Sequence, residues 1–320
     1  MSAYELLTVG EAMLRFSVPA GQLLTAAPTF DVNVAGAESN VAVAVAHMGH
    51  RARWLSRMTD NVVGRRIVNT LTGQRVDCSN VIWTDEDRVG TYFIEFGAAP
   101  RPTQVTYDRA NSAASKMGPT TFDLTQIAQA RVLHLTGITA AISESCYTLI
   151  VALLDYAHRH KIHVVFDVNY RSRLWDAETC AQKLSVLFDR VDTLVMSRHD
   201  ADVVFGLRGE PQDVIYQLQD RFRVSQIALT VAEAGAIGIE NGRIHQGAGY
   251  TVQMIDRIGA GDAFAAGVIC GILRGDFVLG LRYGVAMSAL QLSLSGDMFQ
   301  LSEADVTRLL ESGTVERPIR

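Results

Sequence analysis

The chain has 320 residues, 48% of them hydrophobic, enough to bury a large core in one big α/β domain or two smaller ones. Its formal net charge is −5, so the basic excess that nucleic-acid binding uses is missing, although a local basic site for an anionic ligand stays open. No run of about 18 apolar residues occurs, so no membrane span is expected.

Met1-Ser2-Ala3-Tyr4-Glu5 carries neither the basic nor the apolar region of a signal peptide. Cys78, Cys146, Cys180 and Cys270 are far apart and form no CxxC pair. They read as reduced thiols of a cytoplasmic protein, and no clustered ligands suggest a structural zinc site.

In chain order, Leu6 to Gly10 reads as a buried first strand. Residues 12–36, punctuated by Pro19, Gly21 and Pro28, read as small strands and turns. Glu38 to Met48, rich in Ala and Val, predicts a helix packed closely on a sheet. A second strand pair is expected at 90–96 and 103–107, linked through Pro100 and Pro102.

From about residue 131 a regular rhythm follows. Strands are expected near 132–135, 162–166, 193–196 and 226–231, separated by helical patterns near 144–159, 177–189 and up to about 222. Short apolar runs alternating with helices are the mark of βαβ units and a mostly parallel sheet. Two long buried helices are expected over 260–273 and 275–294. The reading is therefore one α/β domain over 1–320, with strand-rich insertions at about 12–36 and 88–108 forming a small sheet over one end.

Only three lysines occur, Lys116, Lys161 and Lys183, and none follows a Gly, so there is no GxxxxGK[ST] loop. Gly247-Ala248-Gly249 and Gly259-Ala260-Gly261 both lack the third Gly of a dinucleotide fingerprint, which disfavours a dehydrogenase. The motif set of protein kinases is missing as well. A phosphate site here has to use backbone N–H groups at a helix end.

The segment Asp256-Arg257-Ile258-Gly259-Ala260-Gly261-Asp262-Ala263-Phe264 offers one. Small residues let backbone approach a ligand, and the helix that starts there presents free N–H groups to an anion. Asp262 lies in the first turn. It suits a proton acceptor for an attacking hydroxyl, and equally a carboxylate that stabilises the helix N-terminus.

This stretch resembles the DTxGAGD signature of the ribokinase-like (PfkB) carbohydrate kinases. The resemblance implies that Asp262 is the catalytic base and that the Gly259, Ala260 and Gly261 amides form the anion hole. The chain carries Arg257 where the family most often has Thr. Val34 to Ala42 is similar to the family's N-terminal signature, which implies sugar contacts from Gly36, Ala37 and Asn40. By itself that piece also reads as a Gly turn before a capped helix. The family's NxxE element is matched only by Ser197-Arg198-His199-Asp200, with Asp200 implied to order water around Mg²⁺. On the nucleotide side the resemblance implies Asn169, Arg171, Ser197, Thr230, Gly235 and Ala286, with Ala232 where a Gly is common. It also implies a three-layer α/β/α fold, with ATP and Mg²⁺ as cofactors.

Arg fits a sugar carboxylate through its planar fork. Arg109 and Arg171 stand where a substrate would lie, although a solvated loop Arg is the ordinary alternative for each. Tyr107-Asp108-Arg109, Asn169-Tyr170-Arg171 and Gly296-Asp297 resemble segments of 2-keto-3-deoxygluconate kinases. Tyr92 is a further candidate contact, with sheet packing as its alternative, and Asp297 otherwise reads as a turn residue. The expected activity is ATP-dependent phosphorylation of 2-keto-3-deoxygluconate at the 6-hydroxyl. Rival readings are a fructokinase, ribokinase, nucleoside kinase or 5-dehydro-2-deoxygluconokinase, and a non-catalytic sugar-binding protein on the same fold. Exposed lid edges favour a homo-oligomer, a dimer through the lid. Histidines such as His134 and His163, and Trp54, Trp83 and Trp175, read as packing or surface residues.

Overall fold

In chain order the strands are β1 (Tyr4–Val9), β2 (Met13–Ser17), β3 (Asp31–Ala35), β4 (Ala52–Leu55), β5 (Arg57–Thr59), β6 (Ile82–Thr84), β7 (Thr91–Glu95), β8 (Gln104–Asp108), β9 (Ala130–Thr136), β10 (His163–Asp167), β11 (Thr193–Ser197), β12 (Gln226–Thr230), β13 (Gly235–Glu240) and β14 (Arg243–Ala248). The helices are α1 (Ala37–His47), α2 (Val62–Gly73), α3 (Gly137–Ile142), α4 (Glu144–His160), α5 (Ala177–Ser185), α6 (Arg198–Phe205), α7 (Pro211–Phe222), α8 (Ala260–Leu273), α9 (Phe277–Leu292) and α10 (Glu303–Ser312). The structure, a computed structural model, describes residues 3–98 and 100–313. Residues 1, 2, 99 and 314–320 of the expected span 1–320 lie outside the described part.

Eight strands form the main sheet in the order β14-β13-β12-β11-β10-β9-β1-β4. The six from β12 to β4 run parallel, while β13 and β14 add an antiparallel edge. Strands β9 to β12 are apolar almost throughout because both faces are covered. One face packs on α1, α2, α8, α9 and α10, the other on α3 to α7. This is the expected three-layer α/β/α arrangement. Strand order reverses beside β1, and in open sheets of this kind ligands bind beyond the carboxyl ends of the strands near such a point.

The two insertions come together as a separate sheet in the order β3-β2-β7-β8. Arg15 of β2 stands beside Tyr92 of β7, and Phe16 beside Phe93. Because side chains alternate along a strand, Arg15 and Tyr92 share one face and the two Phe residues the other. The Arg15 face looks over the carboxyl ends of the main sheet, so this small sheet acts as a lid.

Some elements depart from the sequence reading. Residues 177–189 hold a shorter helix, α5, and then a 3-10 turn at 188–190. The strands β4, β5 and β6, helix α2 and the β13–β14 hairpin were not anticipated. The hairpin has a recognisable signal: Asn241-Gly242 joins its strands, with both residues at positive φ as a tight two-residue turn requires. His134 is buried in β9 against Thr8, and burial holds its pKa down to about 3, in keeping with a packing role.

Candidate active site

The mouth of α8 is the centre of the site. Gly259 precedes the helix at φ +83°, and a Cβ there would run into the carbonyl of Asp297, so only Gly fits. No side chain caps this 14-residue helix. Its first amides are free to face a ligand, and the helix dipole adds partial positive charge there.

Asp262 sits one turn in and is buried. Asn40 on α1 donates to its Oδ2 at 2.7 Å, and Asn169, beyond the end of β10, donates to Oδ1 at 3.5 Å. Burial raises its pKa to about 7, against the lowering effect of the Asn40 bond and of the Arg171 charge. Asn169 is held at φ +41° and also donates to Asp167 at 3.2 Å, which fixes its amide toward Asp262. A carboxyl poised near neutrality, aimed by two amides and next to an anion-binding helix end, is equipped to take a proton from a hydroxyl.

A cleft of about 1040 Å³ opens above this point. It is lined from the lid by Tyr92 and Tyr107, from the strand ends by Asn169, Arg171, Ser197, Asp200 and Thr230, and from the loop by Arg257, Gly259, Gly261 and Asp262. That volume reaches the upper end of small-ligand sites, and it suits a nucleotide and a sugar together. Asp167 and Asp200 are buried beside it, and burial raises the pKa of both, opposed by the charge of Arg171. Arg171 itself is exposed, and it donates to the Tyr170 carbonyl. Among the described residues no group of three or more His, Cys, Asp or Glu is placed to hold a metal on its own. The donors fit a Mg²⁺ bound chiefly by nucleotide phosphates and water, with Asp200 the nearby carboxylate.

Several expected site residues are engaged elsewhere. Arg109 is paired with Glu11, lies within cation–π range of Tyr107, and does not line the cleft. Asp297 is 3% exposed; Arg15 and the Tyr92 hydroxyl both donate to it, so its carboxylate is not free for a substrate. Tyr92 reaches the cleft with its ring, stacked on Tyr107 at 5.5 Å. Gly36 caps α1 against the backbone of Glu11 and Ala12, so it and Ala37 shape the floor without lining the cleft. Gly235, at φ +96°, lies against the Gly247 carbonyl at the start of β13 and does not line the cleft. Ala286 is fully buried in the core and does not line the cleft.

The sequence reading gave no role to Arg15 or Asp256. Arg15 is fully buried on the lid strand β2 and bridges two carboxylates: Asp256, at 2.6 Å, and Asp297. Asp256 also accepts from the amides of Ile258, at 3.0 Å, and Gly296, at 3.3 Å. These two carboxylates bracket the glycine-rich loop that leads into α8, so one guanidinium ties lid and loop together. Glu11 and Glu38 form a second buried acidic group nearby. Glu38 accepts from Thr136 at 2.6 Å and from Thr139 at 2.5 Å, and burial raises its pKa. An Arg inside an otherwise apolar strand was the available signal for the first group; none existed for the second.

Removing one partner of a buried charge group leaves the others unpaired. Arg15→Ala is therefore expected to cost about 3–5 kcal/mol of stability, read as a lowered urea midpoint. A midpoint within about 0.5 kcal/mol of the parent would contradict this role.

The sequence model described as "pfkB family carbohydrate kinase" matches residues 4–304. A curated relative from Haloferax volcanii, a 2-dehydro-3-deoxygalactonokinase, is 35% identical over 97% of this chain and 97% of its own. A 2-dehydro-3-deoxygluconokinase from Thermoproteus tenax is 31% identical over 91% and 89%. The crystal structure of 2-dehydro-3-deoxygluconokinase from Thermotoga maritima superposes with a TM-score of 0.92 at 29% identity, covering 97% of this chain and 99% of that one. With GAGD at the head of α8, the strand-built lid and a family match across nearly its whole length, this chain belongs to the pfkB family of carbohydrate kinases.

Proposed function

We propose that the chain phosphorylates 2-keto-3-deoxygluconate at its 6-hydroxyl, using ATP, as one kinase domain. The observation that carries the chemistry is Asp262, desolvated to a pKa near 7 and aimed by Asn40 and Asn169 beside uncapped helix amides. In this reading Asp262 accepts the hydroxyl proton as the sugar oxygen bonds to the γ-phosphorus. The amides at Gly259 to Gly261 take up the charge that builds on the phosphoryl oxygens. Asp200 and water would help hold a nucleotide-bound Mg²⁺, which would supply charge that neutralises the phosphates. The lid excludes water from the acceptor position.

The substrate assignment rests on Arg171, a cleft guanidinium with no carboxylate partner among the described residues, and on the names of the relatives. A neutral sugar has no use for that charge, whereas an acid sugar pairs with it through both oxygens. The Haloferax relative favours a second substrate, the galactonate epimer, for the same site. The ligands are small anions rather than nucleic acid or membrane, and the place of action is the cytoplasm. Among the described residues no helix is long and apolar enough to cross a membrane, and Cys78, Cys146, Cys180 and Cys270 are buried and unpaired.

A homodimer through the lid completes the proposal. Phe16 and Phe93 stack at 5.2 Å with Phe30 on their edges, on the lid face opposite Arg15, and β3 and β8 are open edges. Light scattering is expected to give two subunits, and Phe93→Glu one. A parent monomer at micromolar concentration contradicts the dimer.

Asp262→Asn is expected to lower kcat by roughly two or more orders of magnitude while both substrates still bind. In the parent, kcat/KM is expected to fall with decreasing pH through a pKa near 7, as the base becomes protonated. Normal turnover by the Asn variant would remove the assigned base.

In a coupled ADP-release assay, the 2-keto-3-deoxy sugar acids are expected to exceed ribose, fructose and 5-dehydro-2-deoxygluconate clearly. Arg171→Ala is expected to reduce kcat/KM for the acids by about 10–100-fold and to spare neutral sugars. Equal losses on both would remove the carboxylate argument. Sugar binding by calorimetry without ADP release would instead indicate a non-catalytic binder.

A further inference from the structure

Arg257 lines the cleft two residues before the anion hole, and it is exposed. Among the described residues it makes no hydrogen bond, ion pair or ring contact. Its backbone is nevertheless fixed on both sides. Asp256 is locked by Arg15 and the Gly296 amide, and Ile258 packs into the lid cluster with Tyr92, Ile94 and Val105. The loop thus presents an unspent guanidinium from a pinned base.

The other cations of the cleft are differently occupied. Arg198 donates to the carbonyls of Leu207, at 3.1 Å, and Gly209, at 2.9 Å. Arg171 is assigned above to the sugar carboxylate, and its charge also lowers the pKa of Asp167, Asp200 and Asp262. No lysine lines the cleft. A phosphoryl group in transfer spreads negative charge over three oxygens, and helix amides offer only partial charges in return.

We propose that Arg257 is a catalytic residue whose guanidinium contacts the transferring phosphoryl group, in cis, from beside the anion hole. The proposal rests on the phosphoryl-transfer reading above. In the step, the sugar oxygen bonds to the γ-phosphorus and the bond from that phosphorus to the β–γ bridging oxygen breaks. The electron pair leaves with ADP, the hydroxyl proton goes to Asp262, and Arg257 keeps its own protons throughout. The loop thus holds a cation that the GAGD motif itself does not specify.

The test compares Arg257→Ala and Arg257→Lys with the parent in steady-state kinetics, urea unfolding, and inhibition by ADP with aluminium fluoride, a planar mimic of the phosphoryl group. Because the side chain is exposed and unbonded, both variants are expected to keep the parent urea midpoint. Arg257→Ala is expected to lose about 100-fold or more in kcat, with the sugar KM changed by no more than about threefold. Arg257→Lys is expected to regain about tenfold of that loss, and the mimic to bind the Ala variant more weakly in proportion to the lost kcat. An unchanged kcat overturns the proposal. So does a raised sugar KM at constant kcat, which assigns Arg257 to the sugar carboxylate, or a kcat loss that tracks a lowered urea midpoint. A parent enzyme that turns over no sugar removes the phosphoryl-transfer reading itself, and this role with it.

Discussion

One buried guanidinium holds the working parts of this molecule in register. Arg15 belongs to the lid, yet its two carboxylate partners flank the glycine-rich loop at the head of α8, the proposed anion hole. Taking three charges out of water is costly, and only close pairing with further hydrogen bonds offsets that cost. Here Tyr92 and the Ile258 and Gly296 amides supply those bonds. Burial still raises the Asp297 pKa, with Arg15 opposing it. The carbonyl of Asp297 backs Gly259, so the same residue that receives the lid also sets the turn into α8. A lid fastened in this way shapes the cleft roof without a covalent link.

Asp262, the proposed base, shows the cost of burying a carboxylate in such a place. Its folded pKa, near 7, lies above that of an unfolded Asp, so the folded state holds the proton more tightly. Stability is therefore lost as pH rises from about 4 to 7, by about 4 kcal/mol for a shift of this size, and the loss persists above pH 7. Asn40 moderates it by donating to the ionised form, and the Arg171 charge acts in the same direction. The same desolvation that weakens the fold keeps the carboxylate basic enough to take a hydroxyl proton.

How much of this could be read from the sequence depended on whether the signal was local. GAGD ahead of a small-residue helix, the strand rhythm after residue 131 and the two lid insertions are contiguous patterns, and each appears in the fold. Arg109 and Asp297 illustrate the opposite case. A charged residue next to a site looks the same in sequence whether it faces a ligand or a partner such as Glu11 or Arg15, and the partners lie 98 and 282 positions away. Strand alternation assigns Arg15 to one face but cannot say that this face is buried under carboxylates. Trp54 lies on β4 beside Arg53, whose pairing with Asp77 hides an otherwise apolar strand from pattern reading. The Asn241-Gly242 turn is a local signal too, although the sequence reading draws no hairpin from it.

Phosphoryl transfer by this route requires the γ-phosphorus to meet the α8 amides and the sugar hydroxyl to meet Asp262 in one closed cleft. A crystal structure of the ternary complex with a non-hydrolysable ATP analogue and 2-keto-3-deoxygluconate tests this most directly. The expected result places the terminal phosphate within hydrogen-bond reach, about 3 Å, of the Gly259–Gly261 amides, with the C6 oxygen about as close to Asp262. A terminal phosphate bound away from those amides, or a sugar whose hydroxyls all lie out of reach of Asp262, would contradict it.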